Sequence, residues 1–381
     1  MTEDYLSNLP VEILQHIFQY CDSVTILYNI GRVCKRLRAI AYQYNEIKLE
    51  ITSGNCKALK PIFRLIPSDV ITSIEISDSL DYKCKPDLKY CLSKIAGFTQ
   101  VRHLLLSTEY DSDLEWFLKN LNGIQPISLT INLPQKPSEF SYSVIPVIIL
   151  KLNLQKLSWN NLDYKLKNMP WPSDYKLTYL AMNSCLYSEY AVVLQKLPYL
   201  NTLRLKKIIL DNEKMSNVSF TSPLTSLTIE QCLLSTEHIK LVVSKTPALR
   251  NLTLAFHDKT CQSIADIYDW EKFVRIQLNF LDKLEFSISY KYSLDDMINL
   301  ELFVLPFQQS FWLNEKHWNV VCEYIIKSQA KLLLYTIASA NTYSLRYSSF
   351  NGILLKQDNY YMTKRKEYQR IDIVQCDVKE D

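Results

Sequence analysis

The chain has 381 residues, of which 48% are apolar and 22% charged, and its formal net charge is +3. This length exceeds the roughly 100–200 residues of a usual single domain, so we expect several domains or one elongated repeat array. The composition is that of an ordinary folded protein. The small net charge gives no global field toward nucleic acid or an anionic membrane, and neither is expected as a partner.

Glycine is rare: the chain holds only five, whereas average usage of about 7% would give about 27. The common phosphate-binding loops need two or three glycines close together, because bare backbone must approach the phosphate. No two glycines lie closer than 23 residues here, and no Gly-x-Ser-x-Gly sequence occurs. We therefore predict no cofactor and no catalytic or cofactor-binding residue.

The ten cysteines include no Cys-x-x-Cys pair, and the closest two, Cys84 and Cys91, have no histidine placed to complete a zinc site. No metal site is predicted. The N-terminus lacks a basic-then-apolar signal, and no apolar run approaches the 18 residues of a membrane span. These patterns predict a protein of the cytoplasm or nucleus with reduced thiols.

Two amphipathic helical stretches are predicted within the first forty residues. Residues 6–20 place Leu14, Ile17 and Phe18 on one face, and a second stretch continues at helical spacing to about residue 41. Periodicity alone leaves two interpretations open. The stretches are either a small helical cap on a larger domain or a module that shares its apolar face with a partner.

The residues at these positions resemble the F-box motif. The matching segments are Leu9-Pro10, Glu12-Ile13-Leu14, Ile17-Phe18 and, fifteen residues later, Val33-Cys34-Lys35-Arg36-Leu37. The resemblance covers about residues 5–43. It implies a three-helix module that docks on the Skp adaptor subunit of a cullin-based ubiquitin ligase.

The resemblance also implies which side chains contact the adaptor. Carried onto this chain, the expected contact residues are Leu9, Pro10, Leu14, Ile17, Ile26, Leu27 and Val33. One position departs from the motif, because Cys21 stands where the family usually has a leucine after the tyrosine. A smaller side chain buries less area, which we expect to weaken docking by about 1 kcal/mol.

From residue 44 onward, one template recurs: apolar, two variable, apolar, one variable, apolar. A degenerate copy at Tyr44/Ile47/Leu49 precedes nine copies, which begin at Ile71, Val101, Ile124, Leu154, Leu177, Leu200, Leu224, Leu249 and Leu281. Successive starts differ by 23 to 32 residues, and helical segments are predicted between them at 55–66, 113–121, 188–197 and 236–245. This spacing resembles that of leucine-rich repeats over about residues 44–290. It predicts an α/β solenoid with a parallel sheet on the concave face and helices outside.

Three copies also carry an Asn or Cys three residues past the last apolar position: Asn132, Cys185 and Cys232. In leucine-rich repeats such a side chain satisfies backbone groups of a loop inside the solenoid. We interpret both cysteines as structural rather than reactive.

Charge is uneven along the repeats. Residues 150–207 hold nine lysines and arginines against three acidic residues. This stretch is either a solvated, lysine-rich face or a seat for an acidic or phosphorylated target segment. In the second case, the target-binding residues are Lys156, Tyr179, Arg204 and Lys206, which occupy outward positions between the strand apolars.

The template disappears after about residue 290. A helix is predicted at 314–327, a strand at 332–338, and a hairpin formed by 343–350 and 353–356 around Asn351-Gly352. The predicted domains are thus the F-box at 1–43, the repeats at 44–290, an α+β cap at 291–370 and a frayed tail at 371–381.

Together these features predict the substrate-recognition subunit of a cullin-based ubiquitin ligase. It would hold the Skp adaptor, and through it a cullin, with the F-box and an unidentified protein substrate with the repeats. An interaction scaffold with the same partners and no role in ubiquitin transfer remains open. We do not expect an enzyme, because no nucleophile and base are paired in the sequence.

Overall fold

The structure is a computed structural model in which the chain forms two compact units, Met1–Asn183 and Ser184–Asp381. It describes residues 6–44, 47–52, 54–64, 66–67, 69–77, 85–120, 125–133, 147–148, 152–163, 176–211, 222–256, 267–292, 305–326, 330–337, 353–357, 360–365 and 368–372. The architecture is mixed α/β. A helical N-terminal region is followed by parallel strands that alternate with helices, which is consistent with a repeat solenoid.

The N-terminal region consists of short helices. A 3-10 turn at Leu6–Asn8 is followed by α1 (Val11–Phe18), a π-type helical segment (Thr25–Ile30), α2 (Gly31–Val33) and α3 (Lys35–Gln43). The helix predicted from residue 6 begins only at Val11, because Pro10 has an extended ψ of 150° and lies just before the helical backbone. The chain is extended again at Cys34, whose Sγ accepts the Leu37 N–H at 3.4 Å and so caps α3.

The first unit continues with a parallel sheet. Its strands pair in chain order and are β1 (Lys48–Ile51), β2 (Ser73–Ser77), β3 (His103–Ser107), β4 (Ser128–Asn132) and β5 (Lys156–Asp163). The helices between them are α4 (Cys56–Ile62), α5 (Lys85–Ile95) and α6 (Asp111–Asn120). The degenerate copy of the template therefore forms a true first strand, β1. In β1, β2, β3 and β5, the apolar positions of the template are buried.

One copy of the template was misplaced. The register puts Leu129 opposite Leu104 and Ile131 opposite Leu106, so the apolar pair of β4 is Leu129 and Ile131 rather than Ile127 and Leu129. Side chains alternate with a period of two along a strand, so a shift of two residues leaves the same face buried and the pattern cannot detect it. Asn132 is consequently the last residue of β4, and its predicted role three residues past the strand apolars is wrong.

Strand β6 (Tyr179–Leu186) spans the point at which the chain divides, and the second unit continues from it. Its helices are α7 (Tyr187–Lys196), α8 (Thr236–Ser244) and α9 (Ile267–Gln277). Its parallel strands, in order of pairing, are β7 (Thr202–Ile209), β8 (Ser226–Ile229), β9 (Asn251–Phe256) and β10 (Lys283–Tyr292).

The C-terminal strands pair antiparallel. They are β11 (Asn319–Ile326), β12 (Ala330–Ile337), β13 (Ile353–Gln357), β14 (Tyr360–Arg365) and β15 (Tyr368–Asp372), and the order from β10 is β10-β12-β11-β15-β14-β13. The strands predicted at 332–338 and 353–356 are present as β12 and β13. The predicted hairpin partner at 343–350 lies outside the described residues, and β13 pairs with β14 instead.

The helix predicted at 314–327 is wrong. Only Phe311–Glu315 is helical, and the following residues form β11, which pairs with β12 along its whole length. The segment from Val320 to Ile326 is rich in β-branched residues, which favour a strand when a partner strand is close in sequence.

A hydrogen-bond ladder connects successive strands at the edge where they begin. The carbonyl of the residue that precedes a strand accepts two backbone N–H groups from the start of the next repeat. The acceptors, with their donors at 2.8–3.2 Å, are Thr72 (Arg102, His103), Ile127 (Gln155, Lys156), Gln155 (Thr178, Tyr179), Asn201 (Thr225, Ser226), Thr225 (Arg250, Asn251) and Arg250 (Asp282, Lys283). This recurrence supports the interpretation that these segments are repeats of one unit.

The C-terminal segment closes this ladder. The corresponding carbonyl before β10 is that of Asp282, and it accepts the indole N–H of Trp318 at 3.1 Å. The neighbouring Leu281 carbonyl accepts the Lys316 ammonium at 2.7 Å. Phe311 and Trp312 are buried beside Trp318. Side chains thus take the positions that the backbone of a further repeat would occupy.

Candidate protein-interaction surfaces

Helix α1 has apolar residues on two sides. Leu14 and Phe18 are buried in the core of the N-terminal domain, where Phe18 packs edge-to-face on Tyr44 at 5.7 Å between ring centroids. Ile13 lies about 100° around the helix from Leu14 and is 48% exposed. Pro10, one turn before Ile13, is also exposed. The start of α1 therefore presents apolar surface that the domain does not cover.

A second exposed apolar side chain lies at the end of α2. Val33 is 59% exposed and immediately precedes the extended residue Cys34. Two arginines of α3 bind carbonyl groups of the preceding segments. Arg36 donates through Nη2 to the Leu9 carbonyl, and Arg38 donates through Nε to the Gly31 carbonyl, both at 2.9 Å. These contacts fix α3 against the segments that carry the exposed residues.

The expected adaptor contacts fall into three groups. Pro10 and Val33 are exposed, and Leu9 and Ile17 are half-buried. The other three, Leu14, Ile26 and Leu27, are buried inside the domain and support the surface instead of forming it. Their contact with the adaptor stays a prediction, and in this structure they pack in the chain's own core. Ile13 was missed as a contact residue, although helical spacing places it off the face that carries Leu14, Ile17 and Phe18.

A comparison with known families supports the F-box interpretation of the N-terminal domain. Residues 6–47 match the F-box-like family. The N-terminal domain is F-box-like. No curated protein matches the chain. The match includes the exposed residues of α1 and α2 and ends just before β1.

The predicted target-binding residues divide between the two units. Lys156 begins β5 and is exposed, and Tyr179 begins β6 and is half-buried, both within the first unit. Arg204 and Lys206 lie on β7 in the second unit, and both are exposed. The structure therefore brings Arg204 and Lys206 together on one strand.

Arg204 does not present an uncompensated charge. Its Nε and Nη2 contact Glu230 Oε1 at 2.6 and 2.5 Å, across the β7–β8 pair. Both side chains are solvent-accessible, at 56% and 39%. Lys206, two residues along β7, has the same outward orientation. Lys206 is therefore the stronger candidate for an acidic ligand.

The rest of the outward face of the second unit mixes both signs of charge. On β10, Lys283 pairs with Glu285 at 2.7 Å, and Glu285 also accepts the hydroxyl of Thr253 on β9 at 3.1 Å. Of the cations counted over residues 150–207, Arg204 is thus offset by an acidic residue just after the neighbouring strand. Neighbours in this sheet lie about 25 residues apart in sequence, so a sequence window does not include them.

Two cysteines in the second unit are structural. Cys185 and Cys232 are buried, and the Cys232 N–H donates to the Ala255 carbonyl at 2.7 Å. Burial raises the pKa of the Cys185 thiol, and the nearby carboxylates of Glu189 and Asp211 raise it further. A thiol of raised pKa is a poor nucleophile and a poor metal ligand at neutral pH.

Among the described residues, no group of three or more His, Cys, Asp or Glu side chains is arranged to hold a metal ion. Within the same part of the chain, no helix is both long and apolar enough to cross a bilayer.

Proposed function

We propose that the chain is the substrate-recognition subunit of a cullin-based ubiquitin ligase. The F-box-like domain binds a Skp adaptor, which connects it to a cullin, and the repeats bind a protein target in the cytoplasm or nucleus. No catalytic residue is needed, because the receptor acts by raising the effective concentration of target lysines near the ubiquitin-charged enzyme.

One observation carries the adaptor assignment. The F-box-like domain completes its own core with Leu14, Phe18 and Leu37, yet leaves Ile13 and Val33 about half exposed. Exposed apolar side chains that are not needed for the domain's own packing are typical of a protein interface. The proposed contact set is accordingly Pro10, Ile13 and Val33, with the half-buried Leu9 and Ile17 at its margin.

A pull-down with purified Skp adaptor tests the proposal. Ile13→Glu places a charge in the proposed interface, and we expect adaptor affinity to fall at least about thirtyfold, which corresponds to about 2 kcal/mol. The matched control is Ile276→Glu, the same change at an exposed apolar position of α9 in the second unit. Unchanged adaptor binding by Ile13→Glu, with unchanged far-UV circular dichroism, would contradict the assignment.

The scaffold alternative predicts the same complex with the adaptor but a different effect on the half-lives of the bound proteins. If the chain is a substrate receptor, its depletion should lengthen the half-life of proteins that co-purify with the repeats. A scaffold would leave those half-lives unchanged while the adaptor still co-purifies. Pulse-chase measurements on the recovered proteins separate the two.

A further inference from the structure

A cleft of about 550 Å³ lies in the first unit, where the F-box-like domain meets the first repeat. Its apolar lining comes from Phe18, Ile26, Tyr44 and Ile47, each at most 8% exposed. The wall near the end of α1 is completed by Cys21, which is half-buried. Since a cysteine is smaller than the leucine of the F-box motif, less of this space is filled by the chain itself. The volume falls within the roughly 300–1,000 Å³ typical of small-ligand sites.

Polar groups also line this cleft, and two of them are carboxylates. Asp22 accepts the Thr25 N–H at 2.9 Å through Oδ1 and the Thr25 hydroxyl at 2.7 Å through Oδ2. Burial opposes ionisation of Asp22, but these hydrogen bonds outweigh it and hold its pKa below the usual value. Glu50, on β1, is the second carboxylate, and its side chain is 59% exposed.

The cation that lines the cleft, Lys48, is shared between a carboxylate of the cleft and one outside it. Lys48 forms its closer ion pair with Glu75 on the neighbouring strand β2, whereas its Nζ lies 3.7 Å from Glu50 Oε1. The hydrogen bond to Glu75 raises the pKa of Lys48 and keeps its positive charge on that carboxylate. Asn55 is also committed, since its amide donates to the Glu50 carbonyl and accepts the Thr52 N–H. The cleft thus combines an apolar floor with a net negative charge.

We propose that this cleft is a binding site for a small organic cation with an apolar body, such as an arylalkylamine. The apolar body lies on Phe18, Tyr44 and Ile47, and the ammonium group faces Asp22 and Glu50. A bound ligand would contact both the F-box-like domain and the first strand of the repeats. The cleft does not use Pro10, Ile13 or Val33, the exposed residues proposed to contact the adaptor.

Titration of the full-length protein with phenethylamine, followed by ligand-observed NMR, tests the proposal. The charge-reversed control ligand is 3-phenylpropionate, which has the same ring and a carboxylate. We expect phenethylamine to bind at least about tenfold more tightly than 3-phenylpropionate, since each half-exposed ion pair contributes a few-fold. Equal binding of the two ligands would overturn the proposal.

Variants locate the site. Asp22→Asn with Glu50→Gln should weaken phenethylamine binding about tenfold while Asn keeps the cap on Thr25. The matched control is Glu237→Gln, at a carboxylate that is 79% exposed on α8. Phenethylamine binding that is unchanged by Asp22→Asn with Glu50→Gln would place the ligand elsewhere and overturn the assignment.

Thiol labelling gives an independent readout in the wild-type chain. Phenethylamine should slow alkylation of Cys21 by iodoacetamide, in which the thiolate displaces iodide and forms a thioether. Cys34, also half-buried but outside the cleft, is the internal reference. Protection of Cys21 with Cys34 unaffected supports the site, whereas equal protection of both contradicts it.

Discussion

The hydroxyl of Tyr190 lies inside the second unit, on the inward side of α7. Tyr190 is fully buried, and burial raises the pKa of its phenol, with the nearby Cys185 thiol acting in the same direction. An unfolded chain has a tyrosine pKa of about 10. The folded state therefore keeps a proton that the unfolded state loses at alkaline pH.

This difference predicts a loss of stability at high pH. The contribution of Tyr190 is fully present below about pH 10 and declines as the pH rises further, by about 1.4 kcal/mol per pH unit. Tyr190→Phe keeps the ring and removes the titrating group, so its free energy of unfolding should fall less steeply. Denaturant midpoints of wild type and variant between pH 8 and pH 11.5 check this. Parallel curves would show that Tyr190 ionises equally in both states.

At the residue scale, sequence identifies apolar residues better than it assigns them to a surface. Leu14 and Ile13 are adjacent and equally apolar, yet the first is fully buried and the second about half exposed. Helical spacing orients such residues relative to one another, but the face that meets the core depends on where α3 packs. The F-box resemblance named residues of both kinds as contacts, because a motif records which positions are apolar and not which are already covered.

At the element scale, prediction was most accurate where a pattern repeated, although one copy was misplaced and the single strands β12 and β13 were also found. The strand starts after Leu154, Leu200, Leu224 and Leu249 were placed correctly, because each copy supports the next. Strand β11 had no such support, and its apolar residues fit a helix as well as a strand until its partner β12 is known. The pairing with β12 decides between the two, and it is a tertiary contact.

The hydrogen bond from Trp318 that ends the ladder leads to a prediction at the element scale. Trp318→Phe removes the N–H that pairs with the Asp282 carbonyl but retains most of the buried ring area. We expect a loss of about 1–2 kcal/mol in the free energy of unfolding, since a part-buried carbonyl loses its donor. Hydrogen exchange should also quicken at the start of β10.

The control for this prediction is Trp116→Phe, the same change at a half-buried position of α6 in the first unit. It should leave exchange in β10 unchanged. If Trp318→Phe also leaves β10 exchange unchanged, the indole does not terminate the ladder.

At the scale of the whole molecule, the chain has two compact units, and the division at residues 183 and 184 falls inside the stretch expected to be one continuous set of repeats. No shift in composition marks this division in the sequence, because β6 fits the template as well as its neighbours do. The F-box-like domain lies in the first unit and β7 in the second. Adaptor binding and target binding should therefore respond to different substitutions.

Lys206 provides the test of target recognition. If an acidic target segment binds at β7, Lys206→Glu should remove that target by reversing the charge, whereas adaptor recovery should stay at the wild-type level. An exposed charge change alters stability by under about 0.5 kcal/mol, so unfolding would not explain a loss. The control is the exchange Arg204→Glu with Glu230→Arg, which preserves the ion pair and the local net charge. Quantitative proteomics of the recovered partners measures both effects. A target that is still recovered with Lys206→Glu but is lost with the exchange would contradict the proposal. Recognition would then depend on the Arg204–Glu230 pair and not on local positive charge.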